Sequence, residues 1–343
     1  MSTDASLLGL DIGGSTTRAW LARGDGTVIR QATAPSASLT AASRLQVESV
    51  IGALLDELGL EMAPSPAPVA ATAPAAAPAA APAPAAAAPA APRLDAVCIG
   101  TAGSGAAEVV GWIVERFSGI VRPPALERIV VVNDSRLALA AEGLDSGIAL
   151  IAGTGSTAIG VLGESEQRAG GWGYLLGDDG GGYWVVREAV RELCRRHDVG
   201  LPAGALGETL FSGTGEDRTL DLIQRFHEEP EPARWAALAP AVLDSKDPAA
   251  EVLLLAAADA LAKLVADVAR LLHHPPPVPV VIAGGLVVNH TALGEATIAA
   301  IESRLGAEGD GARPAIRLSR RPPIEGALNL ARALARGLDG HSS

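Results

Sequence analysis

Two stretches of this chain repeat one pattern, an apolar strand, a loop of glycines and hydroxyls, and a second strand. The first reads Leu8-Gly9-Leu10-Asp11-Ile12-Gly13-Gly14-Ser15-Thr16-Thr17-Arg18-Ala19-Trp20, and the second reads Ala149-Leu150-Ile151-Ala152-Gly153-Thr154-Gly155-Ser156-Thr157-Ala158-Ile159-Gly160-Val161. Copies beginning at positions 8 and 149 are too far apart for a solenoid, whose repeats run about 20–50 residues. Duplication of one α/β domain is the simpler reading. A loop of this composition offers backbone N–H groups and hydroxyls to an anion with no side-chain bulk in the way. Two such loops suit a polyphosphate gripped from both sides.

The 343 residues exceed the usual reach of a single hydrophobic core, which again argues for two domains. A net charge of -12 excludes partners that require a basic surface, so neither nucleic acid nor an anionic membrane is expected. Cys98 and Cys194 are the only cysteines, and their spacing suits neither a zinc site nor a cluster. A reducing compartment fits. Met1-Ser2-Thr3-Asp4-Ala5 has no basic region and no apolar core, so no secretory signal is expected. The longest strongly apolar stretch, residues 278–288, is too short to span a bilayer and contains Gly284 and Gly285. The expected setting is the cytoplasm.

Around the first loop, residues 17–21 and 28–34 read as strands joined at the Asp25-Gly26 turn, which makes a three-stranded meander. Ser43-x-x-Gln46 forms a capping box ahead of Val47, Val50, Ile51, Leu54, Leu55 and Leu58 at helical spacing, with Gly59 as the stop. Residues 63–92 are almost wholly Ala and Pro, which denies them a helix or a strand ladder, and they read as a disordered, polyproline-like surface insertion. Strands follow at residues 96–100 and 128–134, then a helix at 135–142. Beyond the second loop, helices are expected at residues 182–196 and after Asp247-Pro248, whose stripe is Leu261, Leu264, Val265, Val268 and Leu272. A strand at 278–283 runs into Gly284-Gly285. The last helix, residues 323–337, carries small residues that allow close packing.

Three places look able to carry chemistry. Asp11, beside an anion-binding loop, is repelled by bare phosphate and favoured if Mg2+ intervenes, although an Asp stabilising its own turn looks the same. Asp134 ends an apolar strand and starts a helix, which makes it an N-cap or a general base, and it can serve as both. The run Gly170-Gly171-Trp172-Gly173-Tyr174-Leu175-Leu176-Gly177-Asp178-Asp179-Gly180-Gly181-Gly182 is too glycine-rich for a core element and reads as a pocket wall with carboxylates for hydroxyl groups. Other chemistries are missing. There is no P-loop motif, no dinucleotide fingerprint leading into a helix and no nucleophile elbow. The six histidines lack metal spacing, and His273-His274 looks like a helix end.

Residues 11–17, Asp134, residues 153–156, Gly171-Trp172-Gly173 with Gly177-Asp178, and Ala283-Gly284-Gly285 together resemble the sugar-kinase/actin/heat-shock-chaperone superfamily. Within it, the chain looks like the N-acetylglucosamine kinase branch of the BadF/BadG/BcrA/BcrD ATPase family. The resemblance implies two α/β, ribonuclease-H-like (actin-like ATPase) domains with a nucleotide cleft between them. The first would span residues 1–134 with helix 323–337 returning to it, and the second residues 135–322. It further implies ATP as the donor, with Asp11, Gly13, Gly14, Ser15, Thr16, Gly153, Thr154, Gly155, Gly284 and Gly285 at the nucleotide and Asp11 acting indirectly on Mg2+. Asp134 matches the catalytic aspartate that deprotonates a sugar 6-hydroxyl. Ser38, Ser156, Thr157, Gly171, Trp172, Gly173 and Asp178 match positions at a small amino sugar. Two departures stand out, because Ser38 and Thr157 occupy places where the branch carries asparagine.

The resemblance leaves rivals. A glucosamine or other hexose kinase would share these motifs. An activator ATPase of the same family would need cysteines for an iron-sulfur cluster, and a regulatory protein would need a DNA-binding module. Assembly stays open, with a homodimer compatible.

Overall fold

In the computed structural model, which describes residues 6–13, 16–35, 44–60, 94–101, 107–123, 126–229, 231–274, 277–307 and 314–340, the opening apolar run becomes a buried strand, β1 (Ser6–Ile12). Gly14, Ser15, Ser38, Ser43 and the Ala-Pro stretch 63–92 lie outside the described residues. Next come β2 (Thr16–Arg23), β3 (Val28–Pro35), α1 (Arg44–Glu57), β4 (Ala96–Thr101), α2 (Ala107–Ser118), β5 (Ile129–Val132) and α3 (Asp134–Ala141). The middle of the chain forms β6 (Gly147–Ala152), β7 (Ser156–Leu162), β8 (Ser165–Gly170), α4 (Gly182–Asp198), α5 (Gly204–Thr214), α6 (Thr219–Glu228), α7 (Pro232–Ala236), α8 (Ala239–Leu243) and α9 (Pro248–Leu272). It closes with β9 (Pro279–Ala283), α10 (Gly285–Asn289), α11 (Thr291–Ala307), β10 (Ala315–Leu318) and α12 (Pro323–Gly340). Two compact units result, one of residues 1–141 with 322–343 and one of residues 142–321.

The first unit holds a five-stranded sheet in the order β3-β2-β1-β4-β5. Its meander turns at Gly26, where the Asp25 carboxylate accepts the Thr27 N–H at 2.8 Å. Strand alternation splits β1 between two cores. Leu8, Leu10 and Ile12 meet Val47, Ile51, Leu54 and Leu55 of α1 and Ile113 and Phe117 of α2. Leu7 lies on the other face with Ile324, Ala327, Leu328 and Ala331 of α12 and Leu137 of α3. Small residues let α12 lie close: a Cβ on Gly326 would fall 2.0 Å from the Leu137 carbonyl oxygen. Because α3 packs with α12 on this sheet, the units divide after Ala141, not at Asp134 as the sequence suggests.

The second unit repeats the plan with a sheet ordered β10-β9-β6-β7-β8. Its core joins Ile148, Leu150 and Ala152 of β6 to Val185, Val186 and Ala189 of α4 and to Leu261, Val265 and Val268 of α9. Asp247 caps α9, its Oδ1 accepting the Ala249 N–H at 3.0 Å ahead of Pro248. The long α9 ends at His273, whose φ of 50° closes the helix in the left-handed region. Helices α2, α5 to α8, α10 and α11 and strand β10 have no counterpart in the sequence reading. Helices α5 to α8 lack side-chain caps, which removes the usual start signal.

Candidate functional site

In the first unit, β1, β4 and β5 are mutually parallel, so Ile12, Thr101 and Val132 end at one edge of the sheet. Ligands of open α/β sheets bind beyond that edge. Asp11 lies on the α3 and α12 face, as does Leu7, and only 5% of it is exposed. Asp134 leaves the same edge as the first residue of α3. Capping of α3 is shared: Asn133 Oδ1 accepts the Ser135 N–H at 3.1 Å, and Asp134 Oδ1 accepts it at 2.9 Å.

Burial pushes the Asp11 carboxyl up to about 6, the charge of Asp134 adds to this, and Arg18 at 3.7 Å opposes it. Burial also raises Asp134, against the hydrogen bonds from Ser135. Both carboxylates are therefore poorly solvated anions, primed to favour a cation or a proton. The loop after Asp11 is closed by Gly13 N–H donating to the Thr16 carbonyl at 3.1 Å. Among the described residues no group of three or more His, Cys, Asp or Glu gathers as a metal site.

In the second unit β6 and β9 are adjacent and parallel, so their loops emerge side by side. Gly284 has φ 105°, and a Cβ there would lie 2.3 Å from the Ala152 carbonyl oxygen, so only glycine passes this close to the end of β6. Gly153, Thr154, Gly155, Gly284 and Gly285 are thus brought together. The three loop carbonyls face inward: Gly153 O accepts from Gly182 N–H at 2.8 Å, Thr154 O from Tyr183 N–H at 3.0 Å and Gly155 O from Gly153 N–H at 3.0 Å. Among the described residues, that leaves the N–H groups of Thr154 and Gly155 as the donors an anion can meet.

Ser156, Thr157, Gly171, Trp172 and Asp178 form a second group beside this loop. Gly171 N–H donates to the Ser156 carbonyl at 2.9 Å, and Trp172, 64% exposed, stacks under the Arg168 guanidinium at 4.7 Å. The Ser156 hydroxyl donates to the Asp179 carbonyl at 2.7 Å, and the Thr157 hydroxyl to the Ala169 carbonyl at 3.3 Å, so both support the loop from within. A cavity of about 450 Å³ opens between this segment and α9, lined by Trp172, Asp178, Lys263, Asp267 and Arg270 among others. The three α9 residues escaped the sequence reading because they form the charged face of an amphipathic helix, Lys263 and Arg270 both pairing with Asp267. A larger cavity of about 740 Å³, between α4 and the start of α9, shares no residue with the candidate groups.

Residues 8–330 match the BadF/BadG/BcrA/BcrD ATPase family over nearly the whole chain. The chain belongs to that family. An N-acetylmuramic acid/N-acetylglucosamine kinase of Clostridium acetobutylicum is 37% identical over 106 residues, 30% of this chain and 33% of that one. An N-acetyl-D-glucosamine kinase of Dictyostelium discoideum is 27% identical over 55% of this chain and 62% of that one. The matches therefore span a third and under two thirds of these curated relatives. A solved structure from Chromobacterium violaceum, provisionally named an N-acetylglucosamine kinase, is 25% identical with a TM-score of 0.63, covering 96% of this chain and 100% of the other. A hexokinase of the ROK group from Thermus thermophilus, 18% identical, shares the fold with a TM-score of 0.51 over 97% of this chain and 99% of its own. Two ribonuclease-H-like α/β units are thus the fold of this family member. No described helix is long and apolar enough to cross a membrane.

Proposed function

We propose that this BadF-family protein is an ATP-dependent hexosamine kinase that phosphorylates the 6-hydroxyl of N-acetylglucosamine. The observation that carries the reading is Asp134, a half-buried carboxylate beyond the carboxyl ends of the three parallel strands β1, β4 and β5, on a helix capped partly by Asn133. Burial raises its basicity, which suits proton removal from an attacking alcohol. The names of the Clostridium, Dictyostelium and Chromobacterium relatives support the sugar class.

In this mechanism Asp134 holds the 6-hydroxyl and takes its proton as the oxygen attacks the γ-phosphorus, while the bond to the bridging oxygen of the β-phosphate breaks and ADP leaves. The donors of Gly14, Ser15, Thr16, Thr154 and Gly155 would carry the phosphates, and Gly13, Gly153, Gly284 and Gly285 would lie at the nucleotide. The sugar is framed by Ser38, Ser156, Thr157, Gly171, Trp172, Gly173 and Asp178. Asp11, buried and poorly solvated with the charge of Asp134 acting on it, fits Mg2+, which keeps most of its water and takes one or two carboxylates. Asp11 would hold that ion through water, and the ion, when bound, would offset phosphate charge. The setting would be cytoplasmic, with no nucleic-acid or membrane partner. A glucosamine or other hexose kinase is the nearest rival.

A coupled assay with ATP against N-acetylglucosamine, glucosamine, glucose and N-acetylmannosamine tests the reading. N-acetylglucosamine should give the highest kcat/KM, and Asp134→Asn should lower kcat by roughly 10²–10⁴-fold with nucleotide binding retained. Wild-type turnover in that variant would rule out Asp134 as the base. Absence of phosphorylation across the panel would sink the kinase reading.

A further inference from the structure

His290 is the one residue between α10 and α11, and all four of its polar groups are engaged. Its backbone N–H donates to the Leu286 carbonyl at 3.0 Å and closes α10, while its carbonyl accepts the Gly294 N–H at 3.0 Å and opens α11. The ring is buried. Its Nδ1 accepts the N–H of Leu293, the third residue of α11, at 3.2 Å, and its Nε2 lies 3.1 Å from Oδ1 of Asp244, just past α8. A backbone N–H can only donate, so Nδ1 must keep its lone pair and the proton of the neutral ring sits on Nε2, facing Asp244. The imidazole thus caps α11 as Ser or Asn caps other helices. The first turn of α11 also rests on α10, since a Cβ on Gly294 would fall 2.9 Å from the Val287 carbonyl oxygen. At its other end α10 begins at Gly285, after Gly284, the residue pressed against the end of β6.

Resting on the kinase reading, we propose that His290 is a positioning residue: as the neutral Nε2–H tautomer it holds Gly284 and Gly285 in place for the nucleotide, and it releases them when it takes up a second proton. A proton on Nδ1 sets two N–H donors against each other and puts a positive charge at the N-terminus of α11, where the helix dipole opposes it. Either the first turn of α11 opens or the ring turns away. With five residues α10 cannot keep its shape alone, so slack at His290 passes along it to Gly284. Asp244 favours the doubly protonated ring, but its side chain is 75% exposed and its charge is well screened. Of the other charged groups on adjoining segments, Lys246 follows α8, Asp247 is held by Arg196, Glu295 lies in α11, and Arg320 reaches the Val288 carbonyl at 3.5 Å. Among the described residues, none of these bonds to the ring. Acidification through the range where imidazoles titrate should therefore weaken nucleotide binding through this joint.

The test compares wild type, His290→Ala and His290→Asn in the full chain, because Asn is a good helix cap that does not titrate in this range. In ligand-free wild type at pH 8, imidazole 15N shifts should show Nε2 protonated and Nδ1 as an acceptor. The Leu293 amide, read as a protection factor, should lose roughly 3- to 30-fold between pH 8 and pH 5.5, the span of a lost cap, while amides in the middle of α9 keep theirs. His290→Ala should show that loss already at pH 8, and His290→Asn should stay protected at both values. Calorimetry with Mg2+ and a non-hydrolysable ATP analogue should then find that acidification lowers affinity about threefold more in wild type than in His290→Asn. Asp11 and Asp134 are common to both proteins, so their titration cancels in this comparison. A ring protonated on Nδ1 at pH 8, full Leu293 protection in His290→Ala, or equal pH dependence of nucleotide affinity in wild type and His290→Asn would each overturn the proposal. Failure of wild type and both variants to bind nucleotide at any pH would overturn the kinase reading instead, a result that the ligand-free measurements keep separate.

Discussion

The charge of Asp134 reaches Asp11 at one sheet edge and is, after burial, the second of the two influences that weaken the acidity of Asp11. Two acids at the mouth of one sheet are costly to keep ionised, so each should leave a mark on how this protein responds to pH.

The first mark is on stability. Folding raises Asp11 from 3.8 to about 6, so between those values the folded state binds more protons than the unfolded chain. Stability therefore falls as pH rises through this window and stays lower above it, by up to about 3 kcal/mol. Asp11→Asn should be the more stable protein at pH 7.5 and should lose that advantage near pH 4, as read from urea melts at both values. Equal stability at pH 7.5 would mean that the buried charge is fully compensated.

The second mark is on activity. Among the described residues, Arg18 is the cation that pulls Asp11 back toward its ordinary acidity, from 3.7 Å. Arg18→Met should raise the acid limb of the kcat/KM profile by up to about one pH unit, the usual scale for losing a neighbouring opposite charge. An unshifted limb would detach Asp11 from the rate.

In the second unit, Arg196 grips Asp247 through two hydrogen bonds of 2.7 Å, and the Asp247 side chain is only 5% exposed. Removing the guanidinium strands a buried carboxylate, so Arg196→Met should cost about 3–5 kcal/mol at neutral pH. Arg196 holds the Asp247 carboxyl well below the usual carboxylate range, so its stabilisation is present above about pH 4 and fades as pH falls toward the folded value. The gap between wild type and variant in urea should narrow below pH 4.

Helix α12 depends on its smallest residue. Gly326→Ala places a methyl group 2.0 Å from the Leu137 carbonyl oxygen, a backbone atom that cannot rotate away. A loss of about 1–3 kcal/mol is expected from thermal or urea unfolding, and a neutral result would show that α3 and α12 can part without penalty.

Much of this was legible along the chain. The meander at β1 to β3 was readable from strand alternation and the Asp25-Gly26 turn, α9 from a cap, a proline and a buried stripe, and the two loops from their glycines. Of the site, Asp11, Asp134 and the second loop could be picked out because each sits where a strand stops. The helices α5 to α8 could not, since each is short, uncapped and held by contacts from distant parts of its unit. The charged residues of α9 beside Trp172 looked like an ordinary solvent face.

Strand, turn and cap are local properties, set by neighbours a few residues apart, and the order of the amino acids alone determined them along with the duplication and the acidic surface. Which groups lose their water is a different matter, because burial comes from segments far apart in the chain. Only the tertiary structure decided that Asp11 is desolvated within reach of Asp134, that the Asp178 carboxylate stands over Gly155, and that Gly284 lies against the end of β6.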